Sequence, residues 1–167
     1  MTSAMTASAS RAGVSEPVAR VLHPGGVACG TAGDRFETLL GSCVAIVLTD
    51  PRRTLGAMCH IVHSRQPGGE GHVSSAYAGV ALATMFALLR ARGLNPSLCD
   101  AWVVGGGNMF PGLLQQGHVG DDNVKWVLGA LEAHGIRLLS KNVGGNAYRR
   151  LAWTIGRSDP EVESVPV

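Results

Sequence analysis

Two short apolar runs separated by a turn signal dominate the first third of the chain. Residues 44–48 are β-branched or apolar, and residues 55–62 form a second apolar run of strand length. Between them, residues 50–53 read Asp-Pro-Arg-Arg, in which the proline presets its own φ for a turn. The pattern predicts a β-hairpin, which brings residues that are distant in sequence side by side.

Two longer segments carry apolar side chains at helical spacing. Residues 77–92 are followed by Gly93, a typical residue just past a helix end, and are apolar at most positions. We therefore expect this helix to be buried on more than one side. Residues 121–134 begin with two aspartates, which the helix dipole favours, and are followed by Gly135.

The remaining apolar runs are short and separated by glycine-rich turns, which is typical of strands. They cover residues 27–31, 35–40, 98–104, 136–141 and 150–155. Strands outnumber helices, and hairpins alternate with strand–helix–strand units. We predict an α/β fold, a layered sandwich of mixed β-sheet with helices.

The chain length of 167 residues suits one domain with a sizeable core. Residues 1–20 are rich in Ala, Ser and Thr without periodicity, and we expect a disordered N-terminal tail there. The domain is assigned to residues 21–155, and residues 156–167 are expected to form a C-terminal tail. Residues 64–74 contain several glycines and are expected to form a loop beside the second strand of the hairpin.

Charge and motif content exclude several classes of function. A net charge of +2 without a basic stripe argues against nucleic-acid binding. The triple glycine at 105–107 satisfies neither GxGxxG nor the P-loop pattern, so a nucleotide site is rejected. The longest apolar run, residues 78–89, is too short to span a bilayer, and the N-terminus lacks the apolar core of a signal peptide. Four cysteines without a CxxC pair suit reduced thiols, and we expect a cytoplasmic protein.

The hairpin places a thiol and an imidazole where they can meet. Cys43 stands just before its first strand, and His60 lies late in its second. This pair of residue types makes a nucleophile near neutral pH, and Gly41 permits a sharp turn whose N–H groups can face an oxyanion. Two alternatives stay open. In the first, Cys43 is a small, buried hydrophobic residue without a catalytic role. In the second it forms a structural zinc site with Cys59 and His60, which their spacing disfavours, so we expect no metal.

The residues around Cys43 and His60 resemble a known family. TLLGSCVAIVLTD followed by GAMCHIVHS is similar to the signature of the chemoreceptor glutamine deamidases, the CheD family. VVGGGNMF at 103–110 and the segment 119–150 extend the resemblance over about residues 21–155. Two departures stand out: Val62-His63-Ser64 replaces a usual Leu-Pro after the histidine, and Asn142 replaces an acidic residue.

The resemblance implies a function and a set of site residues. It implies hydrolytic deamidation of specific glutamines to glutamate on methyl-accepting chemoreceptors, through a Cys-His thioester and without a cofactor. Cys43 would be the nucleophile, His60 the base and Thr38 a third member, with Gly41 and Ser42 supporting the oxyanion. A fold related to cysteine-dependent deamidating toxins is also implied. The alternative is a non-catalytic adaptor that binds chemoreceptors or a CheC-type phosphatase.

Two adjacent residues compete for the third place in the implied site. Some family members carry their threonine six places before the cysteine, a position that Glu37 occupies here, whereas Thr38 is five places before. One step along a regular strand moves a side chain to the other face. Thr38 can therefore hydrogen-bond to His60 only if the turn at Gly41 and Ser42 compensates for the spacing that is one residue shorter. Glu37 is the competing partner for His60.

Overall fold

The computed structural model describes residues 18–65 and 74–167. Within these ranges the chain forms strands, two α-helices and one short 3-10 helix. In chain order they are β1 Ala19–Val21, β2 Val27–Thr31, β3 Arg35–Leu40, β4 Val44–Thr49, β5 Leu55–Ile61, α1 Ala78–Ala91, the 3-10 helix Pro96–Leu98, β6 Asp100–Gly105, α2 Val119–Ala133, β7 Arg137–Val143, β8 Ala147–Thr154 and β9 Glu161–Pro166.

The strands form two mixed sheets that pack face to face. One sheet has the order β1-β3-β8-β9, and the other has the order β2-β5-β4-β6-β7. Each contains one parallel pair, β1 with β3 and β6 with β7, among antiparallel pairs. Both helices pack on the far side of the five-stranded sheet. The predicted layered α/β sandwich of mixed sheet is confirmed, while its relation to deamidating toxins stays a prediction.

The predicted hairpin is confirmed as β4 and β5 at the centre of the five-stranded sheet. Its register runs from Val44 opposite Ile61 to Thr49 opposite Gly56. Almost every residue of both strands is buried, because one sheet face meets the helices and the other meets the second sheet. This two-sided burial explains why the sequence shows continuous apolar runs instead of alternation. Asp50 closes the turn by accepting N–H hydrogen bonds from Thr54 and Leu55 at 2.7 and 2.9 Å.

The first helix is buried along one side only, contrary to expectation. Its core-facing side chains recur at helical spacing: Ala78, Ala81, Leu82, Met85, Phe86 and Leu89. Ala83, Ala87 and Leu88 are exposed. Alanine and leucine are strong helix formers even where nothing covers them, so their apolar character did not report burial here. Within the described ranges no helix combines the length and apolarity needed to cross a bilayer.

Both segments predicted as tails contribute strands. Residues 1–17 of the predicted N-terminal tail lie outside the described residues, but Ala19–Val21 pairs in parallel with β3. Glu161–Pro166, inside the predicted C-terminal tail, pairs antiparallel with β8. Val162 packs against the core between the sheets, and backbone pairing to an open strand edge needs no long apolar run. The predicted loop 64–74 falls largely on residues 66–73, outside the described residues.

Candidate active site

A tight turn, residues 41–43, carries the predicted nucleophile from one sheet to the other. It joins the end of β3, in the four-stranded sheet, to the start of β4, in the five-stranded sheet. Alternation along β3 points Thr38 inward, where it is 5% exposed. His60 of β5 points toward it from the opposite sheet and is 2% exposed. The predicted site residues therefore converge between the two sheets.

Thr38 and His60 are joined by a buried hydrogen bond. The hydroxyl oxygen of Thr38 lies 2.8 Å from Nδ1 of His60 and 2.6 Å from the carbonyl oxygen of Leu22. The competing residue, Glu37, lies on the other face of β3 and pairs with Arg35 at 3.0 Å. Of the two residues that the sequence left open, the structure brings Thr38 to the histidine.

The donors in this chain of hydrogen bonds fix the tautomer of the ring. The Leu22 carbonyl can only accept, so the hydroxyl proton of Thr38 points to it, and Thr38 in turn accepts from Nδ1–H of His60. In the neutral ring Nε2 then carries the lone pair. Nε2 is buried and hydrogen-bonds to no other described residue. Nε2 is therefore free to accept a proton from a group that approaches it.

Cys43 lies on the same sheet face as His60. The register pairs Ala45 with His60, and Cys43 stands two residues earlier, which makes it a diagonal neighbour. Its half-buried side chain packs against the core between the sheets. Because Nε2 has no partner in the described part of the chain, the Sγ–H···Nε2 hydrogen bond is not formed in this structure. Such bonds are often long or poorly aligned without a ligand and tighten as the reacting group binds.

Burial shifts both groups toward their uncharged forms. It lowers the pKa of His60 below its usual 6.5, with the Leu22 carbonyl acting in the opposite sense and nearby His23 in the same sense. It also raises the pKa of the Cys43 thiol. A neutral thiol beside a neutral imidazole is therefore favoured near pH 7. In this state no thiolate is preformed, and the neutral imidazole is able to accept the thiol proton.

The backbone of the 41–43 turn is held at each carbonyl. The Gly41 carbonyl accepts from the N–H of Gly107 at 2.9 Å, and the Cys43 carbonyl accepts from the N–H of Gly106 at 2.8 Å. The Ser42 carbonyl accepts from the side-chain amide of Asn123 at 3.2 Å. Across residues 18–65 and 74–167, by contrast, no other residue supplies an acceptor for the N–H of Ser42 or Cys43, and the Cys43 N–H faces its own Sγ. These two donors are free to face a ligand.

The triple glycine at the end of β6, residues 105–107, allows the two backbone segments to approach closely enough for these hydrogen bonds. A Cβ on Gly105 would lie 2.2 Å from the Cys43 carbonyl oxygen, and Gly105 has φ 119°. Only glycine tolerates both conditions. A Cβ on Gly41 would in turn lie 2.9 Å from the sulfur of Met109, which covers the turn. The sequence identified residues 105–107 as a turn but gave no sign that their N–H groups bind the turn that carries Cys43.

Arg149 supports the same region from the neighbouring hairpin. It is 5% exposed and donates to the Asn142 side chain at 2.8 Å and to the Gly144 carbonyl at 2.6 Å. The Gly145 carbonyl accepts from the N–H of Asn108, next to the triple glycine. Burial lowers the pKa of Arg149. Among the described residues, no carboxylate pairs with the Arg149 guanidinium. The neutral side chain of Asn142 accepts its hydrogen bond instead.

The residues proposed for a zinc site do not converge. Cys59 points to the opposite face from His60 and is buried among the helix-facing side chains, where burial raises its pKa to about 12. No group of three His, Cys, Asp or Glu side chains within the described ranges is placed to hold a metal ion.

Cys43 should be the most reactive thiol of the protein. We expect limiting iodoacetamide at pH 7.5 to label Cys43 before Cys29, Cys59 and Cys99, because it is partly exposed and shares a sheet face with the Nε2 lone pair. The raised pKa of Cys43 predicts that its labelling accelerates as pH rises above 7. Mass spectrometry of peptides after timed labelling measures each rate. Labelling of Cys29 as fast as Cys43 would contradict the site.

Comparison with known proteins places the chain in a family. The family model described as CheD chemotactic sensory transduction matches residues 63–163. A protein of Albidiferax ferrireducens named probable chemoreceptor glutamine deamidase CheD 2 is 32% identical over 86% of this chain and 86% of its own length. The chemoreceptor glutamine deamidase CheD of Thermotoga maritima is 34% identical over 70% of this chain and 72% of its own.

The solved structures give a more distant likeness. The crystal structure of Neisseria meningitidis protein NMB0706 aligns with a TM-score of 0.46 and 13% identity, over 78% of this chain and 64% of that one. The family model covers the later glycine blocks, and the alignment with the Albidiferax ferrireducens protein is long enough to include the 41–43 turn and the hairpin as well. The chain belongs to the CheD family.

Proposed function

We propose that this protein hydrolyses the side-chain amide of glutamine residues on chemoreceptors, converting them to glutamate. Cys43 is the nucleophile, His60 the general base and Thr38 the residue that orients the ring. The relatives named chemoreceptor glutamine deamidase support the reaction. The observation that carries the assignment of residues is the buried Thr38–His60 hydrogen bond, which leaves Nε2 unprotonated on the face that Cys43 shares.

The first half of the reaction forms a thioester. A carboxamide is a poor electrophile, so the thiol must lose its proton as it attacks. Sγ of Cys43 bonds to the carbonyl carbon while Nε2 of His60 takes the thiol proton. The N–H groups of Ser42 and Cys43 are the proposed donors to the oxyanion. His60 then returns the proton to the departing nitrogen, ammonia leaves, and the acyl group stays on Cys43.

The second half releases glutamate by the same groups. Nε2 of His60 takes a proton from a water molecule, whose oxygen attacks the thioester carbonyl. The C–S bond breaks to give the carboxylic acid, and Cys43 regains its proton from His60. The acid then loses its remaining proton to the released ammonia, which leaves the carboxylate. Thiol, imidazole and water account for every atom and proton, so no cofactor is proposed. Each turnover leaves one additional negative charge on the receptor, which can bias a two-state helical assembly.

The surface beside the site suits a macromolecular substrate. Met109 covers Gly41, and the loop that continues from it exposes Phe110, Leu113 and Leu114, the second of them by 83%. Exposed apolar side chains next to a site favour contact with another protein. The same surface is compatible with the alternative role, an adaptor for chemoreceptors or a CheC-type phosphatase. A cytoplasmic location is proposed with the function, and the four unpaired cysteines support it.

Replacing the nucleophile separates the enzyme from the adaptor. Cys43→Ala should lower conversion of receptor glutamine to glutamate by at least about a thousandfold, because the covalent step is lost. Mass spectrometry of receptor fragments incubated with the purified protein measures the conversion. Cys29→Ala, on β2, is the matched control and should retain activity. Undiminished conversion by folded Cys43→Ala would rule out the proposed mechanism, and no conversion by the unmodified protein would favour the adaptor.

Removing the orienting hydroxyl should slow turnover without abolishing it. Thr38→Val keeps the shape of the side chain but removes the hydrogen bond to Nδ1, and we expect turnover to fall by about 10- to 100-fold. Glu37→Gln, on the opposite face of the same strand, should change turnover little. Both are measured on one receptor fragment at saturating substrate. The reverse ranking would assign the orienting role to Glu37.

A further inference from the structure

Asn123 is a polar side chain inside an apolar helix–sheet interface. It lies in the second turn of α2, where it is 0% exposed. Its side-chain nitrogen donates to the Ser42 carbonyl at 3.2 Å and to the Val62 carbonyl at 3.0 Å. Its side-chain oxygen is buried and hydrogen-bonds to no other described residue.

These two carbonyls belong to the two arms of the hairpin that carry the proposed catalytic pair. Ser42 directly precedes Cys43, and Val62 follows His60 by two residues. The ladder between β4 and β5 ends at the pair Val44 and Ile61. Beyond that pair the N–H of Val62 donates to Ala76 instead of to the 41–43 turn. The amide of Asn123 thus spans the open end of the hairpin and takes the place of its next rung.

The depth at which α2 sits allows Asn123 to reach the hairpin. A Cβ on Gly120 would lie 2.5 Å from the Gly106 carbonyl oxygen, so only glycine lets the helix approach the triple-glycine turn so closely. Asn123 stands three residues further along the same helix and faces the sheet. The close contact between Gly120 and Gly106 therefore holds two groups in place. One is the glycine turn that binds the Cys43 carbonyl, and the other is helix α2, whose Asn123 binds the Ser42 carbonyl.

An unpaired buried acceptor is unfavourable, and native proteins hold few of them. An apolar side chain at position 123 would avoid that cost but would also lose both hydrogen bonds to the hairpin. We infer that Asn123 is a positioning residue for catalysis: by tying Ser42 to Val62 it sets the separation between Sγ of Cys43 and Nε2 of His60. The inference rests on the proposed Cys43–His60 pair and extends it to the far side of the sheet.

The test uses the alkylation rate of Cys43, which needs no receptor. Rate constants for iodoacetamide at pH 7.5 are compared for the unmodified protein, Asn123→Ala, Asn123→Leu, His60→Ala and the double variant Asn123→Leu/His60→Ala. Asn123→Leu refills the volume and keeps a folded variant in the set if the alanine fails to fold. Val127→Ala, a fully buried residue one turn later on α2, is the matched control for lost packing.

The predicted pattern separates positioning from stability. His60→Ala and both Asn123 variants should each slow alkylation by about tenfold or more, since small displacements are costly at reacting atoms. Val127→Ala should lower the melting temperature but change the rate less than about twofold. In the His60→Ala background, Asn123→Leu should add no further loss, because both act on the same contact.

Two results would overturn the inference, and they differ from failure of the proposed function. An unchanged rate in folded Asn123→Leu, with His60→Ala slowed, would refute the positioning role and leave the Cys43–His60 pair standing. An equal loss from Asn123→Leu with and without His60 would show that it acts through packing alone. An unchanged rate in His60→Ala would refute the catalytic pair itself, and with it the role of Asn123.

Discussion

The hydrogen bond between Thr38 and His60 is the interaction on which the site depends. It lies between two sheets, is buried, and continues to the Leu22 carbonyl. A carbonyl at one end fixes the direction of every donor in the chain, so the ring receives its proton on Nδ1 and presents a lone pair at Nε2. Burial then keeps that ring neutral by lowering its pKa. The hydrogen bonds and the burial together leave Nε2 of His60 unprotonated, as the proposed role of a base requires.

The two-sheet architecture explains why these residues can meet. Thr38 comes from the four-stranded sheet, His60 from the five-stranded sheet, and Cys43 from the turn that connects them. The carbonyls of the turn are bound by Gly106, Gly107 and the Asn123 side chain, while the N–H groups of Ser42 and Cys43 find no acceptor in any other described residue. The two sheets, the turn between them and helix α2 thus each supply one part of the proposed site: the orienting group, the base, the nucleophile and the support of the turn.

The hydrophobic pattern of the sequence predicted those parts of the site that depend on neighbouring residues in the chain. The hairpin was predicted correctly because Pro51 and its neighbours mark the turn between two apolar runs, and that prediction alone brought Cys43 near His60. Strand β9 was missed because its pairing relies on backbone hydrogen bonds, which leave little trace in side chains. Choosing Thr38 over Glu37 required the sheet register, since one residue changes the face. The contacts of Asn123 span 81 positions to Ser42, and no local pattern encodes them.

The protonation of His60 tests this account most directly. In protein labelled with ¹⁵N-histidine, with His60→Ala used to assign the signal, NMR at pH 7.5 should show the proton on Nδ1 and a bare lone pair on Nε2. Because burial lowers the pKa, this neutral form should persist as the pH falls below 6.5, where an exposed histidine becomes charged. A proton on Nε2, or a charged ring at pH 7.5, would contradict the account.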